Sequence, residues 1–551
     1  MMKKLLILPL TIFLMISCGK KNVDLIYTNV NGYTLQDDSL VTFNTLVVDN
    51  GKVLDIGDQV VLEKYSGEKI DGQGKTMLPG LIDAHGHVMG LGFQELEVKL
   101  AGISTLDETL QTIKEYADEN PDLEWILGRG WNQTLWEENE FPTAEDLDKV
   151  VSDRPVWLSR IDGHAGWGNS KALQLAGVSL ETPDPQGGKI VRDNMGNPTG
   201  VFVDAAQGYV QQVVPPKTQK EFEMALQKAM DQLSSVGLTS VHDAGVSVQA
   251  WDLYKQFAVE GKLKTRIYAM IGGAGTTFDT LAADGPIHSF EHDLLSLRSV
   301  KLYSDGALGS RGAAMLEPYS DDPDNRGLLF VDQDEMNRMV DKVVSNGFQA
   351  NIHAIGDRGN RQVLDALEYA QDKNEAYDLR NRVEHAQIVA LEDIPRFEEL
   401  DLIASMQPTH ATSDMNMAED RVGEERIKGG YAWQKFLHQG TVIAGGSDFP
   451  VEYSNPFFGL YSAVSRKDHD GNPKEGWYPE EAMSRVEAFR SFTVDAAYAG
   501  HQEEQLGSLE KGKWADFILI DRDYFEVPEI EIWQIEVVES WLAGEKVYEN
   551  K

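Results

Sequence analysis

The stretch Leu78-Pro79-Gly80-Leu81-Ile82-Asp83-Ala84-His85-Gly86-His87 decides how this chain is read. Leu81 to Ala84 has the look of a short apolar strand opened by Pro-Gly. His85 and His87 lie two apart, so on a strand both project to the same face. Gly86 between them removes bulk. Two neutral imidazoles on one face can both ligate a divalent metal. His-x-His alone is a weak signal, and its weight here comes from its place at the end of an apolar strand.

Working outward, the segment from about 80 to 500 repeats that theme. Short apolar runs (TSVHDAG, SVKLYSDG, FQANIHAIGD, RVEHAQIV, LIASMQPTH, TVIAGGSDFP) are separated by stretches of helical periodicity such as EFEMALQKAMDQLSSVG and QDEMNRMVDKVVSNG. Strand–helix alternation on this scale predicts parallel β/α units. The polar residues stand at the carboxyl ends of the runs, where a (β/α)8 barrel places its chemistry. No Gly-rich phosphate fingerprint opens a helix, which argues against a doubly wound nucleotide-binding sheet. Residues of about 105–205 are too long for one crossover and carry their own turns, so they read as a subdomain inserted over the barrel mouth. Residues 19–79 and 501–551 are strand-rich and punctuated by Gly, Asn and Asp. They are expected to meet in one composite β unit built from both termini.

The composition narrows the function. With 89 acidic and 50 basic side chains among 551 residues, the formal net charge is -39. That excludes a basic phosphate-reading face and docking of the folded body on anionic lipid. The 42% hydrophobic content is that of a chain with a large core. A single cysteine excludes a disulfide framework and a Cys-type zinc site.

That cysteine is Cys18. Lys3 and Lys4 precede an apolar run, Leu5 to Ile16, with the length of a signal h-region. The ending Leu14-Met15-Ile16-Ser17-Cys18-Gly19 resembles a bacterial lipobox, with Met15 where Leu is usual. Residues 1–18 are therefore expected to be a lipoprotein signal peptide and Cys18 the lipidated residue. A soluble body tethered by lipid in the cell envelope, periplasmic or on the outer surface, is the expected location. A plain signal peptide with an incidental cysteine is the alternative.

Further along, His353 follows the strand FQANI, His385 ends RVE, and Asp448 follows TVIA. Singly, each histidine would be a satisfied core residue and the aspartate a helix cap. Together with His85 and His87 they make four imidazoles and a carboxylate at successive strand ends, a set suited to Zn²⁺ or a similar metal.

These motifs resemble the amidohydrolase superfamily, in the YtcJ-like branch that includes N-substituted formamide deformylase. The resemblance also runs through GRGWNQTLW, PVWLSRIDGHAGWGNSKAL, VKLYSDGALGSRGAAM, NIHAIGDR, RVEHAQ, SMQPTH and GSDFPV, nearly the whole chain after residue 18. It implies a (β/α)8 barrel with a composite β-sandwich and a catalytic metal centre. By it, His85 and His87 match the first-strand metal pair, His353 and His385 the fifth- and sixth-strand ligands, and Asp448 the eighth-strand aspartate that touches metal and acts as general base. Lys301 falls where related enzymes carry a lysine that CO₂ converts to a carbamate bridging two metals. An ammonium has no lone pair and cannot ligate, so the alternative is an unmodified Lys301 paired with Asp305 or another acid. One or two zinc ions stay open.

The expected activity is metal-assisted hydrolysis of a small amide-like C–N bond, linear or cyclic, with Asp448 moving the proton. His164 is a candidate for binding the substrate carbonyl, and a turn histidine is the alternative. Arg311 could receive a substrate carboxylate or sit in a structural ion pair. Trp131 and Trp136 could line an apolar pocket or pack in a core. Gln407 and His410 are expected at the mouth, and His242 behind the ligands, orienting one of them. His288, His292, His438, His469 and His501 read as structural or exposed. Partners beyond a small molecule are not expected, save the lipid anchor and a homodimer of the kind common among such barrels. A two-carboxylate glycosidase barrel and a non-catalytic ligand-binding lipoprotein are the competing functions.

Overall fold

The computed structural model describes residues 20–550, apart from 37–38, 101, 138–139, 161–162, 164 and 186. Cys18, the signal segment and His164 thus lie outside the described residues.

Eight parallel strands form the central sheet: β1 (Leu81–Gly86), β2 (Leu238–Val246), β3 (Arg266–Gly272), β4 (Leu295–Tyr303), β5 (Gln349–Ala354), β6 (Arg382–His385), β7 (Ile403–Met406) and β8 (Ile443–Gly445). Each pairs with the next in chain order, and the ring is nearly closed by a parallel bridge between Gly86 and Phe449. At that seam the Asp448 N–H donates to the His85 carbonyl at 2.7 Å and the His87 N–H to the Phe449 carbonyl at 2.8 Å. Closing the barrel therefore sets the end of the last strand against the His-x-His pair. Gly86 is needed there, because a Cβ would stand 2.3 Å from the Phe449 ring.

Period-two alternation sorts each strand. On β4, Val300 and Leu302 join the apolar core while Lys301 points into the barrel. On β5, Ala350, Ile352 and Ala354 join that core, and Gln349, Asn351 and His353 take the other face. The helices supply the facing layer. Gln333–Ser345, between β4 and β5, buries Met336, Val340, Val343 and Val344, one stripe at helical spacing, and Asp332 caps its start by accepting from the Glu335 N–H.

The two ends of the chain join as expected. Phe517–Ile520 pairs antiparallel with Thr76–Pro79, the strand that leads into β1. With Lys21–Gln36, Ser39–Asp49, Lys52–Gly57, Tyr65–Asp71, Val537–Leu542 and Glu545–Glu549 they make one connected eight-stranded sheet. Its register shifts between Thr28 and Gly32, so the long first strand pairs with Tyr65–Asp71 before the shift and Thr76–Pro79 after it. Leu25, Tyr27, Leu46, Val48, Phe517 and Trp541 pack together in this unit. Buried Arg266, which opens β3, grips Asp516 with two hydrogen bonds of 2.6 and 3.0 Å and ties the unit to the barrel.

Between β1 and β2 lies the insert. Six strands stand in the order Gly188–Arg192, Pro198–Asp204, Ala165–Gly168, Val156–Arg160, Ile126–Trp131, Val98–Lys99. They enclose a core of their own around Trp131, Trp136 and Trp167. Among the described residues, no helix is long and apolar enough to cross a membrane.

Candidate metal centre

His85, at the carboxyl end of β1, is fully buried, and His87 two residues on keeps 31% of its side chain exposed at the mouth. His353 ends β5 and His385 ends β6, their ring centroids 4.4 Å apart. His385 reaches the axis because its backbone is left-handed (φ 75°), which breaks the strand alternation that would aim it outward. Asp448 is left-handed too (φ 61°). These are uncommon conformations for side-chain-bearing residues, and both fall on the residues that complete the cluster. One ligand-type atom each of His85, His385 and Asp448 lies within 4.8 Å of the others. The Asp448 Oδ1 stands 3.0 Å from His87 Nε2 and 3.6 Å from His85 Nε2.

Hydrogen bonds fix the tautomers. His85 Nδ1 touches the Glu384 carboxylate, which only accepts, so the proton is on Nδ1 and the Nε2 lone pair faces the cluster. Gln407 donates its amide to the Ser405 carbonyl at 3.3 Å, which turns its Oε1 to His385 Nδ1 at 2.8 Å. His385 is thereby protonated on Nδ1, and its Nε2 is the free ligand atom. His353 Nε2 is buried and makes no hydrogen bond to the described residues.

Electrostatics point the same way. Burial, with Lys301 beside it, pushes the His85 imidazole down to about 4. Burial and the same lysine take His353 to about 3, and burial holds His385 well below its ordinary value. At neutral pH these imidazoles carry no proton on the ligand nitrogen. Burial opposes ionisation of Asp448, but the hydrogen bond from His87 and the neighbouring histidines hold its carboxyl well below the usual range. The neutral imidazoles of His85 and His385 and the ionised carboxylate of Asp448 fit a divalent cation of the zinc type, while His353 Nε2 lies 3.7 Å from Asp305 Oδ1.

Lys301 is buried on β4, and its Nζ lies 3.0 Å from His85 Nε2. Burial lowers its ammonium to about 8. The alternative pairing with Asp305 does not occur, because Asp305 accepts from the backbone N–H groups of Ala314, Ile355 and Gly356 at 2.8, 3.0 and 2.8 Å.

The relation to known proteins matches this geometry. Residues 68–548 match the model of the amidohydrolase family. The chain belongs to that family. It is 33% identical to the YtcJ protein of Bacillus subtilis over 94% of this chain and 98% of that one. It is 28% identical to N-substituted formamide deformylase of Arthrobacter pascens over 96% and 98% of the two chains. The crystal structure of an uncharacterized metal-dependent hydrolase from Pyrococcus horikoshii OT3 superposes with a TM-score of 0.75 at 28% identity, covering 92% of this chain and 99% of that one. The (β/α)8 barrel and the hydrolase class read from the motifs are thus those of its relatives.

Several other site residues take up different places in this amidohydrolase. Arg311 is engaged by Asp321 through Nε and Nη2 at 3.1 and 2.8 Å, the structural ion pair that the sequence offered as its alternative role. Trp131 is fully buried in the insert and donates its indole N–H to the Leu158 carbonyl, and Trp136 packs beside it; core packing replaces the pocket-lining role for both. His410 sits at the mouth with Nε2 3.8 Å from Asp448 Oδ2 and its ring stacked on that of His385. His242 lies within β2, where its Nδ1 accepts from Arg382 Nη1 at 2.9 Å.

The sequence reading missed Glu384 and Arg382. Both are fully buried inside the barrel. The available signal was two opposite charges at alternate positions of a strand between apolar neighbours, which looks the same as a solvated strand face until the barrel is closed.

Proposed function

We propose that this protein hydrolyses amide-like C–N bonds of small molecules with the help of a divalent metal, Zn²⁺ by the donor set. The observation that carries this is the meeting of ligand-type atoms of His85, His385 and Asp448 within 4.8 Å of one another, with the tautomers of the two imidazoles fixed by Glu384 and Gln407. The metal would be held by His85, His87, His353, His385 and Asp448, with Lys301, as a carbamate, completing a second position. A bound metal supplies Lewis acidity to a carbonyl oxygen and acidifies water.

The chain's residues do the rest. Asp448, ionised and at the mouth, takes the proton of the attacking water as the C–O bond forms. It then gives that proton to the nitrogen as the C–N bond breaks, leaving a carboxylic acid, which keeps the water's second proton, and an amine. His87 Nε2 stands 3.0 Å from the Asp448 Oδ1 and would exchange that hydrogen bond for the cation. A cavity of about 420 Å³, lined by Leu91, Val98, Arg129, Pro450, Val451 and Tyr453, borders the segments that follow His87 and Asp448 in the chain and would take the substituent on nitrogen. The deformylase among the relatives supports an N-formyl or N-acyl substrate. The lipobox supports a location in the cell envelope through lipidated Cys18, with contact to membrane through that lipid alone.

The test is metal analysis of the purified protein with a screen of formamides, N-acyl amino acids and cyclic amides. Turnover of a member of the panel, lost on chelation and restored by Zn²⁺, is expected. Turnover indifferent to chelation would favour the glycosidase reading, and a metal-free, inert protein the ligand-binding one.

A further inference from the structure

Behind the ligand cluster, deeper in the barrel, stands a buried charged assembly. Arg382, fully buried on β6, donates through Nη2 to the Ala84 carbonyl of β1 at 2.5 Å and to Ser405 Oγ of β7 at 2.8 Å. Its Nη1 donates to His242 Nδ1 of β2 at 2.9 Å. One guanidinium thus links four strands across the barrel axis. Its counter-ion is Glu384, two residues on and on the same face, at 2.8 Å from Nε and 3.2 Å from Nη2. Glu384 Oε2 is also the acceptor of the His85 Nδ1 proton. No other carboxylate reaches that proton among the described residues.

A buried carboxylate needs a partner to stay ionised in place, and removing one member of such a pair leaves an uncompensated charge. A ligating imidazole needs its second nitrogen held, or ring orientation and tautomer are lost. The two needs meet here. We infer that Arg382 and Glu384 are positioning residues of the metal centre: the guanidinium pins the carboxylate, and the carboxylate fixes the His85 ring with Nε2 toward the cation.

This rests on the reading that His85 holds a metal. The experiment therefore measures Zn²⁺ affinity by competition with a chromophoric chelator, alongside thermal melting of the metal-free protein. Glu384→Gln is expected to weaken Zn²⁺ binding about 10- to 100-fold. The charge-balanced double variant Arg382→Met with Glu384→Gln is expected to recover melting near wild type while the weakened affinity persists. Glu384→Asp keeps the charge beside Arg382 but withdraws it by one methylene. It is expected to melt as wild type and still bind more weakly, which keeps the test decisive should the double variant not fold. Wild-type affinity in Glu384→Asp or in the double variant would overturn the inference. A wild-type protein that binds no Zn²⁺ would instead overturn the reading beneath it.

Discussion

His87 and Asp448, 361 positions apart, share a 3.0 Å hydrogen bond between Nε2 and Oδ1, on a seam where the first and last barrel strands meet. The carboxylate is thereby oriented and kept ionised by the imidazole. Asp448→Asn keeps the shape and loses the proton acceptor. Turnover of the best amide of the panel is expected to fall by about 10²- to 10⁴-fold, with Zn²⁺ content measured by elemental analysis still near wild type. Unchanged turnover would remove Asp448 from the proton-transfer role.

Metal removal is expected to cost stability as well as activity, because the proposed ligands come from four strand ends, those of β1, β5, β6 and β8. Any ion that binds only the native state stabilises it by mass action, about 4 kcal/mol when free metal is a thousandfold above its Kd. Calorimetry with and without chelator should show the melting temperature dropping, and adding Zn²⁺ should restore it.

The depressed imidazoles give a pH signature in the metal-free protein. An unfolded histidine takes a proton near 6.5, whereas His353 in the fold does so only near 3. The stability this group contributes is full above 6.5 and declines as pH falls toward 3, by about 1.4 kcal/mol per pH unit in the steep part. Asp83 and Asp305 pull the other way: burial raises both to about 7, so what they contribute is present below about 4 and lost as pH rises through 7. The difference between wild type and His353→Asn isolates the histidine. Between pH 4 and 6 the variant's unfolding free energy, from denaturant titrations, should have a shallower pH slope by about one proton.

Arg311→Ala should leave catalysis nearly untouched. The guanidinium is paired with Asp321, which Arg421 also engages, and the pair is partly solvated. The melting temperature is expected to stay near wild type, with KM for carboxylate-bearing amides within twofold. A tenfold rise in KM confined to those substrates would return Arg311 to substrate binding.

Much of the barrel was legible because its cause is local. Apolar runs of strand length, helices with one apolar stripe, and polar residues at run ends follow from period and burial, and His85-Gly86-His87 declared its shared face by spacing alone. What was hidden depends on closure. Glu384 and Arg382 alternate on β6 as exposed charges would, and only the other seven strands make that face an interior. Trp131 was ambiguous for the same reason, since an indole in a pocket and one in the insert's core have the same neighbours in sequence. His385 is aimed inward by a left-handed backbone that no residue type announced.

The strand Thr76–Pro79 runs directly into β1 and is flanked by Phe517–Ile520 from the far end of the chain. During synthesis its neighbour is therefore missing until the last segment emerges, and so is the Asp516 carbonyl that receives the Gly80 N–H at 2.9 Å. A nascent chain stopped short of residue 516 would leave Thr76–Pro79, the lead-in to β1, without that neighbour. Truncation of the final 35 or so residues is therefore expected to loosen the approach to a site to which they contribute no side chain.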